Sequence, residues 1–317
     1  MRLKCENHMG NDIERSAAAP IGNVDFFIVG APKCGTTALA DYLNQTKSVF
    51  IPEIKEPHFF CKEWQDFRRI KNTVDYERLY RKAAGKLCGD ASVWYLYSRT
   101  AALEIKEYNK DAKIIIMLRR QADAAHSLHS QLLFSGREDI ESFEQAWEAE
   151  EDRKRGLRIP NNSLVTEHLF YSKVYDYKPQ INRYFSVFGR ENCLVLVFEE
   201  FFSDPDEGFK QVLDFLGVDE IPEVDFRAVN KNRVHSHPKL AHFLMRPPGI
   251  LGKIKEFIKS LPFFKGRPVL RRFYAFFLKK KTRNILDKDF EEDVMSLYRE
   301  PNRDLLRALN KKDTLWG

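Results

Sequence analysis

The stretch GAPKCGTT at residues 30–37 has the residue types and the spacing of an anion-binding loop. Gly30 and Gly35 permit a tight backbone turn between an apolar strand pattern and a helical pattern. Free amide N–H groups and the helix dipole favour an anion at such a helix start, and two threonine hydroxyls add donors. The loop residues predicted to bind a phosphate group are Lys33, Cys34, Gly35, Thr36 and Thr37.

The position of the loop lysine separates two chemistries. In nucleotide hydrolases a lysine directly follows the second glycine, whereas Lys33 lies two residues before it. Those hydrolases also need a carboxylate at the end of a second buried strand to help hold Mg²⁺. The buried strand pattern at 112–120 ends instead in two arginines, of which Arg119 is the first, and a cation there suits a second anionic group. Because Glu199 and Glu200 end a later strand pattern, a Mg²⁺-dependent P-loop kinase stays open as an alternative.

Three blocks resemble the sulfotransferases that use 3′-phosphoadenosine 5′-phosphosulfate (PAPS), in the bacterial and glycosaminoglycan-type branch. GAPKCGTTAL resembles the loop for the 5′-phosphosulfate, RRQADAAHS the block for the 3′-phosphate, and LVLVFEEFFSDPDEGFKQVLDFLGV a later strand-and-helix block. The resemblance implies that Arg119 and Ser127 hold the 3′-phosphate. It also implies that a late basic loop closes over that phosphate, with Lys231 or Arg233 in contact.

The resemblance implies transfer of a sulfuryl group from PAPS to an acceptor hydroxyl, with PAP as the second product and no metal ion. Lys33 would reach the sulfonate and the bridging oxygen of the leaving phosphate, where negative charge grows. IKEPHFF at 54–60 resembles the family's E-x-H-F-F segment, whose glutamate is the proposed general base. Glu56 is therefore the candidate base, and His58 is a second candidate or an orienting partner. The acceptor stays open among glycans, lipids and small phenols.

The sequence departs from the family pattern near the predicted 3′-phosphate site and near the predicted acceptor site. Arg120 and Gln121 replace Asn-Pro, which could alter the start of the helix that carries Ser127. GDASVWYLY resembles a segment at the substrate cleft, but its lysine position is Ala91, so one cation expected near the acceptor is absent. Trp94 and Tyr95 in this segment could wall the acceptor pocket or pack in the core. Where glycosaminoglycan members often carry aspartate after the Phe pair, this chain has cysteine, which weakens the case for polysaccharide-type contacts.

Strand and helix patterns alternate along the chain, which predicts an α/β fold. We expect a single P-loop-like domain at 23–317, with a central parallel sheet flanked by helices and a helical C-terminal extension. The apolar runs at 112–120 and 192–201 are typical of strands buried on both faces. We expect residues 1–22 to form a flexible tail. Long helical patterns occupy residues 141–155, 164–187 and 288–310.

Composition excludes several other classes of protein. The 317 residues include 52 basic and 46 acidic side chains, a net charge of +6, which argues against a general nucleic-acid-binding protein. The sequence shows no run of about 18 apolar residues and no signal-peptide pattern, which predicts a cytoplasmic protein. Five cysteines without a C-x-x-C pair favour reduced thiols over a zinc site or a disulfide framework.

Residues 246–283 concentrate positive charge and aromatic rings, with twelve Lys or Arg side chains and a single acid, Glu256. We expect a basic aromatic helical segment at 245–287, including a short helix over 269–281. Three roles stay open for it: packing on the domain, attraction of an acidic acceptor, and peripheral membrane contact. The same segment would also suit a non-catalytic protein that docks on polyanions or membranes, which is the second alternative to the proposed enzyme.

Overall fold

The computed structural model describes residues 24–219, 222–226 and 285–316, and the backbone of residues 234–235 and 278–279. One sheet contains β1 (Phe26–Gly30), β2 (Val49–Phe50), β3 (Leu87–Asp90), β4 (Lys113–Leu118) and β5 (Cys193–Val197). The strand order is β2-β3-β1-β4-β5, and every neighbouring pair runs parallel. The predicted parallel α/β fold is confirmed. The predicted tail at 1–22 lies outside the described residues.

Helices connect the strands and cover the sheet. They are α1 (Thr36–Leu43), α2 (Thr73–Arg78), α3 (Ala101–Tyr108), α4 (Gln121–Ser135), α5 (Phe143–Glu148), α6 (Glu150–Lys154), α7 (Tyr171–Val174), α8 (Tyr177–Phe188), α9 (Phe198–Ser203), α10 (Pro205–Leu216), α11 (Lys288–Ser296) and α12 (Arg299–Ala308). Short 3₁₀ turns occupy Thr166–Leu169 and Arg190–Asn192. All of β1 and nearly all of β4 are buried, as expected for central strands covered on both faces. Among the described residues, none of the helices combines the length and the apolarity needed to cross a bilayer.

Prolines interrupt two of the helices that the sequence pattern predicts as continuous. Within 164–187 a new helix, α8, begins at Tyr177 so that Pro179 falls in its first turn. Within 288–310 the break precedes α12, again with a proline, Pro301, in the first turn. Proline has no N–H and its ring clashes with the carbonyl four residues earlier, so it is tolerated only near a helix start. The third pattern, 141–155, is divided between α5 and α6 at Ala149.

Two other predicted elements end differently in the structure. The strand predicted at 192–201 stops at Val197, and α9 begins at once with two glutamates in its first turn, where the helix dipole favours acids. The helix predicted over 269–281 is wrong at its end, because Leu278–Lys279 forms β7, which pairs antiparallel with β6 (Val234–His235). Pairing with β6 gives the backbone there its hydrogen bonds. Most of the predicted segment at 245–287 lies outside the described residues.

Candidate active site

The carboxyl ends of β1 and β4 meet at one edge of the sheet. The chain leaves β1 towards β2 on one side and leaves β4 towards β5 on the other, and such a switch point is where parallel α/β sheets bind ligands. The loop 31–35 follows β1, and Arg119 follows β4. The structure brings the two predicted cationic residues together, since Arg119 Nη1 lies 3.5 Å from the backbone carbonyl oxygen of Lys33.

Both glycines of the loop are required by their surroundings. Gly30 has φ 150°, and a Cβ there would lie 2.6 Å from the Val93 carbonyl oxygen. Gly35 has φ 88°, and a Cβ there would lie 2.7 Å from the Phe202 ring. Gly35 is the N-cap of α1, and no side chain caps this helix start. The amide donors of the first turn, which have no intrahelical acceptor, therefore open towards the loop and suit an anion.

The two central residues of the loop have different environments. Lys33 is partly exposed and has φ 66°, a conformation that costs a non-glycine residue about 1–3 kcal/mol. Cys34 is fully buried, and its Sγ lies 3.5 Å from the Pro32 carbonyl oxygen and 3.6 Å from the Tyr177 hydroxyl. Burial raises the pKa of Cys34 to about 12, so the thiol stays neutral. Of the groups of Cys34, only the backbone N–H therefore remains as a predicted phosphate contact. This N–H already donates to the Ala31 carbonyl at 3.3 Å.

Two tyrosines that sequence reasoning missed tie the loop to the arginine and to α4. The Tyr177 hydroxyl donates to the Arg119 carbonyl at 2.8 Å. The Tyr175 hydroxyl is 3.0 Å from both the Pro32 and the Ala124 carbonyl oxygens, so it bridges the loop and α4. Both side chains are buried, and nothing in their spacing distinguishes them from ordinary core tyrosines.

The residues predicted to hold a 3′-phosphate lie on elements that are tied to the loop, Arg119 directly and Ser127 through α4. The Arg119 guanidinium stacks 4.5 Å above the Phe198 ring, which fixes its direction by a cation–π contact. Ser127, on the second turn of α4, is 4% exposed, and Tyr175 holds this helix to the loop. Lys231 and Arg233 lie outside the described residues, although β6, which begins directly after Arg233, lies against α4.

The departures at Arg120 and Gln121 are explained by contacts with the C-terminal helices. Arg120 forms an ion pair with Glu291 of α11. The amides of Gln121 and Asn302 of α12 exchange two buried hydrogen bonds, of 2.6 and 3.1 Å. The start of α4 is therefore stabilised by the C-terminal extension.

Both glutamates that follow β5 have partners within the protein. Glu199 accepts hydrogen bonds from the Arg120 backbone N–H at 3.0 Å and from the Trp316 indole N–H at 3.1 Å. Glu200 forms an ion pair with Lys311. These carboxylates, which left the kinase alternative open, serve to cap α4 and to anchor the C-terminal end.

The two candidates for the general base, Glu56 and His58, lie in the segment that follows β2. His58 Nε2 is 3.5 Å from Glu56 Oε2, with the histidine side chain 3% and the glutamate side chain 26% exposed. Glu56 and His58 have φ 55° and 50°, which costs about 1–3 kcal/mol for each residue. Arg69 supports the strained segment, because its N–H donates to the Pro57 carbonyl at 3.1 Å and its Nη1 to the Lys55 carbonyl at 2.8 Å.

The electrostatics of this pair keep the glutamate in the ionised form. Burial raises the pKa of Glu56, but the hydrogen bond and charge of His58, with the charges of Lys55 and Arg69, outweigh burial and hold the pKa below its usual value. Glu56 is therefore ionised at neutral pH, as a general base must be. His58 Nδ1 is buried and has no hydrogen-bond partner among the described residues.

Residues 92–96 connect the base segment to β1, the strand that leads into the phosphate-type loop. Ser92 Oγ accepts a hydrogen bond from the His58 backbone N–H at 3.2 Å. The Leu96 backbone N–H donates to the Val29 carbonyl, the last but one residue of β1, at 2.8 Å. Because residues 92–96 bind both the base segment and β1, they set the position of the candidate base relative to the strand from which the loop begins.

The remaining positions singled out near the predicted acceptor pocket belong to the core. Trp94 and Tyr95 are 6% and 0% exposed, and Trp94 stacks on His168 at 3.5 Å. Cys61 and Ala91, where the sequence departs from the family, are buried as well. We infer that these four side chains shape the site through packing.

This geometry defines a P-loop-like α/β protein with a glycine-bounded loop that suits an anion, an adjacent arginine and a carboxylate–imidazole pair at one sheet edge. Residues 23–241 match the sulfotransferase domain family, and the chain belongs to that family.

The chain is similar to several named sulfotransferases. Heparan sulfate glucosamine 3-O-sulfotransferase 3B1 of Mus musculus is 28% identical in an alignment of 261 residues that covers 78% of this chain and 61% of the relative. Carbohydrate sulfotransferase 15 of Mus musculus is 24% identical in an alignment of 248 residues that covers 62% of this chain and 44% of the relative. The crystal structure of a sulfotransferase from Alicyclobacillus acidocaldarius is 34% identical, with a TM-score of 0.57 over 70% of this chain and 90% of that chain. The matched region thus spans about three fifths or less of the two mouse relatives.

Proposed function

We propose that this protein transfers a sulfuryl group from PAPS to an acceptor hydroxyl. One observation carries the proposal: residues 92–96 contact both the end of β1, from which the loop with Lys33 begins, and the segment that contains Glu56 and His58. An anion site and an ionised carboxylate attached to one framework are what a transfer from a phosphosulfate donor to a hydroxyl needs. Membership of the sulfotransferase domain family supports the same reaction.

The reaction is an in-line displacement at sulfur. The acceptor oxygen forms a bond to sulfur while Glu56 takes the hydroxyl proton. The bond between sulfur and the bridging oxygen breaks, and its electron pair goes to that oxygen of the departing PAP. Lys33 stabilises the negative charge that develops there. In this proposal Glu56 is the base, and His58 orients its carboxylate through their 3.5 Å contact.

The donor would be held by its two phosphate ends. Backbone N–H groups at the start of α1, with the hydroxyls of Thr36 and Thr37, would bind the 5′-phosphosulfate. Arg119 and Ser127 would bind the 3′-phosphate, with help from Lys231 or Arg233. The proposal requires no metal ion, because the protein's own cations supply the positive charge.

For the acceptor we propose a carbohydrate hydroxyl. The names of the relatives specify heparan sulfate and carbohydrate as their acceptors. Lys55 and Arg69, whose positive charges act on Glu56, would also attract an acidic sugar chain. A lipid or a phenol would need an apolar pocket in place of these charges.

The direct test is incubation with ³⁵S-labelled PAPS and three acceptors: heparan sulfate, a glycolipid and a simple phenol. We expect label on the polysaccharide, and we expect undiminished transfer in EDTA. Transfer that requires Mg²⁺ and uses ATP in place of PAPS would instead establish the kinase alternative.

Lys33→Ala tests the assignment of charge in the transition state. Removing one preorganised donor costs about 10²–10³ in kcat, whereas PAP affinity should change only severalfold because the interaction strengthens during transfer. Steady-state kinetics and calorimetry with PAP measure the two effects. Lys86→Ala is the matched control, since this exposed lysine precedes β3 at the opposite edge of the sheet. Equal losses in kcat and PAP affinity for Lys33→Ala would contradict the assignment.

A further inference from the structure

A buried carboxylate at the end of β3 collects three hydroxyl groups. Asp90 is 1% exposed. Its Oδ1 accepts from Ser92 Oγ at 2.7 Å, and its Oδ2 accepts from the hydroxyls of Tyr76 at 2.8 Å and Tyr95 at 2.9 Å. Burial raises the pKa of Asp90, whereas the hydrogen bonds from the three hydroxyls favour the ionised form. While it is ionised, the carboxylate only accepts hydrogen bonds, so each hydroxyl donates its single proton to Asp90. The oxygen lone pairs of these hydroxyls are then left to accept from other donors.

Two of these oxygens do accept, and both donors belong to the base segment. The His58 backbone N–H donates to Ser92 Oγ at 3.2 Å, and the Phe60 backbone N–H donates to the Tyr95 hydroxyl at 3.3 Å. Tyr76 differs from Ser92 and Tyr95. Among the described residues, it contacts the base segment through its ring, which stacks on Phe59 at 4.4 Å.

We propose that Asp90, Ser92 and Tyr95 are positioning residues for the general base. This inference rests on the proposed function. Asp90 fixes the hydroxyl protons, and the two hydroxyl oxygens then fix the backbone at positions 58 and 60. Glu56 and His58 both adopt left-handed backbone conformations, which persist only where the surroundings over-determine them. The two backbone contacts at positions 58 and 60 supply part of that constraint. Arg69 supplies the rest through the Pro57 and Lys55 carbonyls.

The arrangement contains its own matched control. Tyr95→Phe and Tyr76→Phe each remove one hydroxyl from Asp90 and keep the ring, but only Tyr95→Phe removes an acceptor from the base segment. Ser92→Ala removes the other acceptor. Any effect that follows from weakening Asp90 alone should therefore be equal in the two tyrosine variants.

The experiment compares the three variants by three measurements. With ³⁵S-labelled PAPS and heparan sulfate as the acceptor probe, Ser92→Ala and Tyr95→Phe should lower kcat about 10- to 100-fold, because a small misplacement of reacting groups has that cost. The acidic limb of their pH profile should move to higher pH, since a looser contact with His58 no longer holds the Glu56 pKa down. PAP affinity by calorimetry should stay within about twofold of wild type, and Tyr76→Phe should resemble wild type throughout.

Amide hydrogen exchange of the peptide 56–61 gives an answer that does not depend on activity. We expect faster exchange in Ser92→Ala and Tyr95→Phe and unchanged exchange in Tyr76→Phe. Unchanged exchange at 56–61 in Ser92→Ala, or equal effects of the two tyrosine variants on kcat and exchange, would overturn the positioning role. If the wild type transfers no label but the exchange pattern appears as expected, the proposed reaction fails while the structural basis of the inference stands.

Discussion

Substitution of Arg119 is the sharpest test of how the donor is recognised. PAP carries a 3′-phosphate and AMP does not, so only PAP binding should depend on a residue that contacts this group. A hydrogen bond to a charged group contributes about 1.5–3 kcal/mol. Arg119→Ala should therefore weaken PAP binding by about 10- to 150-fold and leave AMP binding within about twofold of wild type, measured by calorimetry at one fixed salt concentration.

The structure also predicts a smaller, graded effect. The guanidinium of Arg119 is held 4.5 Å above the Phe198 ring. A cation–π contact at a partly exposed site contributes about 0.5–1 kcal/mol, so Phe198→Leu should weaken PAP binding by about two- to fivefold.

Arg190 is the matched control for this experiment. It also stacks on a phenylalanine, Phe185, at 4.8 Å, but it precedes β5 at the opposite edge of the sheet. Arg190→Ala should leave the affinity for both ligands unchanged. If Arg119→Ala weakens PAP and AMP equally, the reasoning is refuted, because Arg119 would then act on the loop through its contact with the Lys33 carbonyl.

Three further predictions concern the base, the thiols and the C-terminal end. Glu56→Gln should lower kcat about 10²–10⁴-fold and remove the acidic limb of the pH profile; in wild type, activity should persist until the pH falls through the lowered pKa of Glu56. The buried Cys34 thiol, with a pKa of about 12, should resist iodoacetamide at pH 8 in the native protein and react after unfolding, as mass spectrometry can show. Trp316→Phe removes the indole N–H donated to Glu199 and should lower the free energy of unfolding by about 1–2 kcal/mol in urea titrations, whereas an unchanged value would mean that this contact does not anchor the C-terminal end.

The parallel sheet and the phosphate-type loop could be predicted because their signals are local. Period-two or continuous apolar runs specify buried strands, and two glycines at fixed spacing specify a turn whose φ values other residues rarely adopt. At Gly35 the structure adds a requirement that the sequence did not predict, since a Cβ would meet the Phe202 ring. Arg119 was predictable because it directly follows a buried strand, and ends of parallel strands share one edge.

The groups that hold the site together could not be predicted from local patterns. Tyr175, Tyr177 and Asp90 act through residues far away in sequence, and a buried tyrosine or a strand-end aspartate has many ordinary structural roles. The helix breaks before Tyr177 and Arg299 could have been predicted from the sequence, because a proline at the third position of each helix specifies them. Apolar periodicity alone joined these helices to their neighbours.

The position of Lys33 and the contacts of Glu199 both bear on how the negative charge of the ligand is neutralised. A nucleotide hydrolase places an acid near its phosphate loop to hold Mg²⁺, and that ion neutralises the phosphates. Here Glu199 caps the start of α4 and binds Trp316, while Arg119 extends towards the Lys33 carbonyl. Under the proposed function, the edge of the sheet would offer the protein's own cations to a donor with two anionic ends. The family resemblance implies that a loop lysine at the position of Lys33 serves the bond that breaks, so the proposal requires no metal ion.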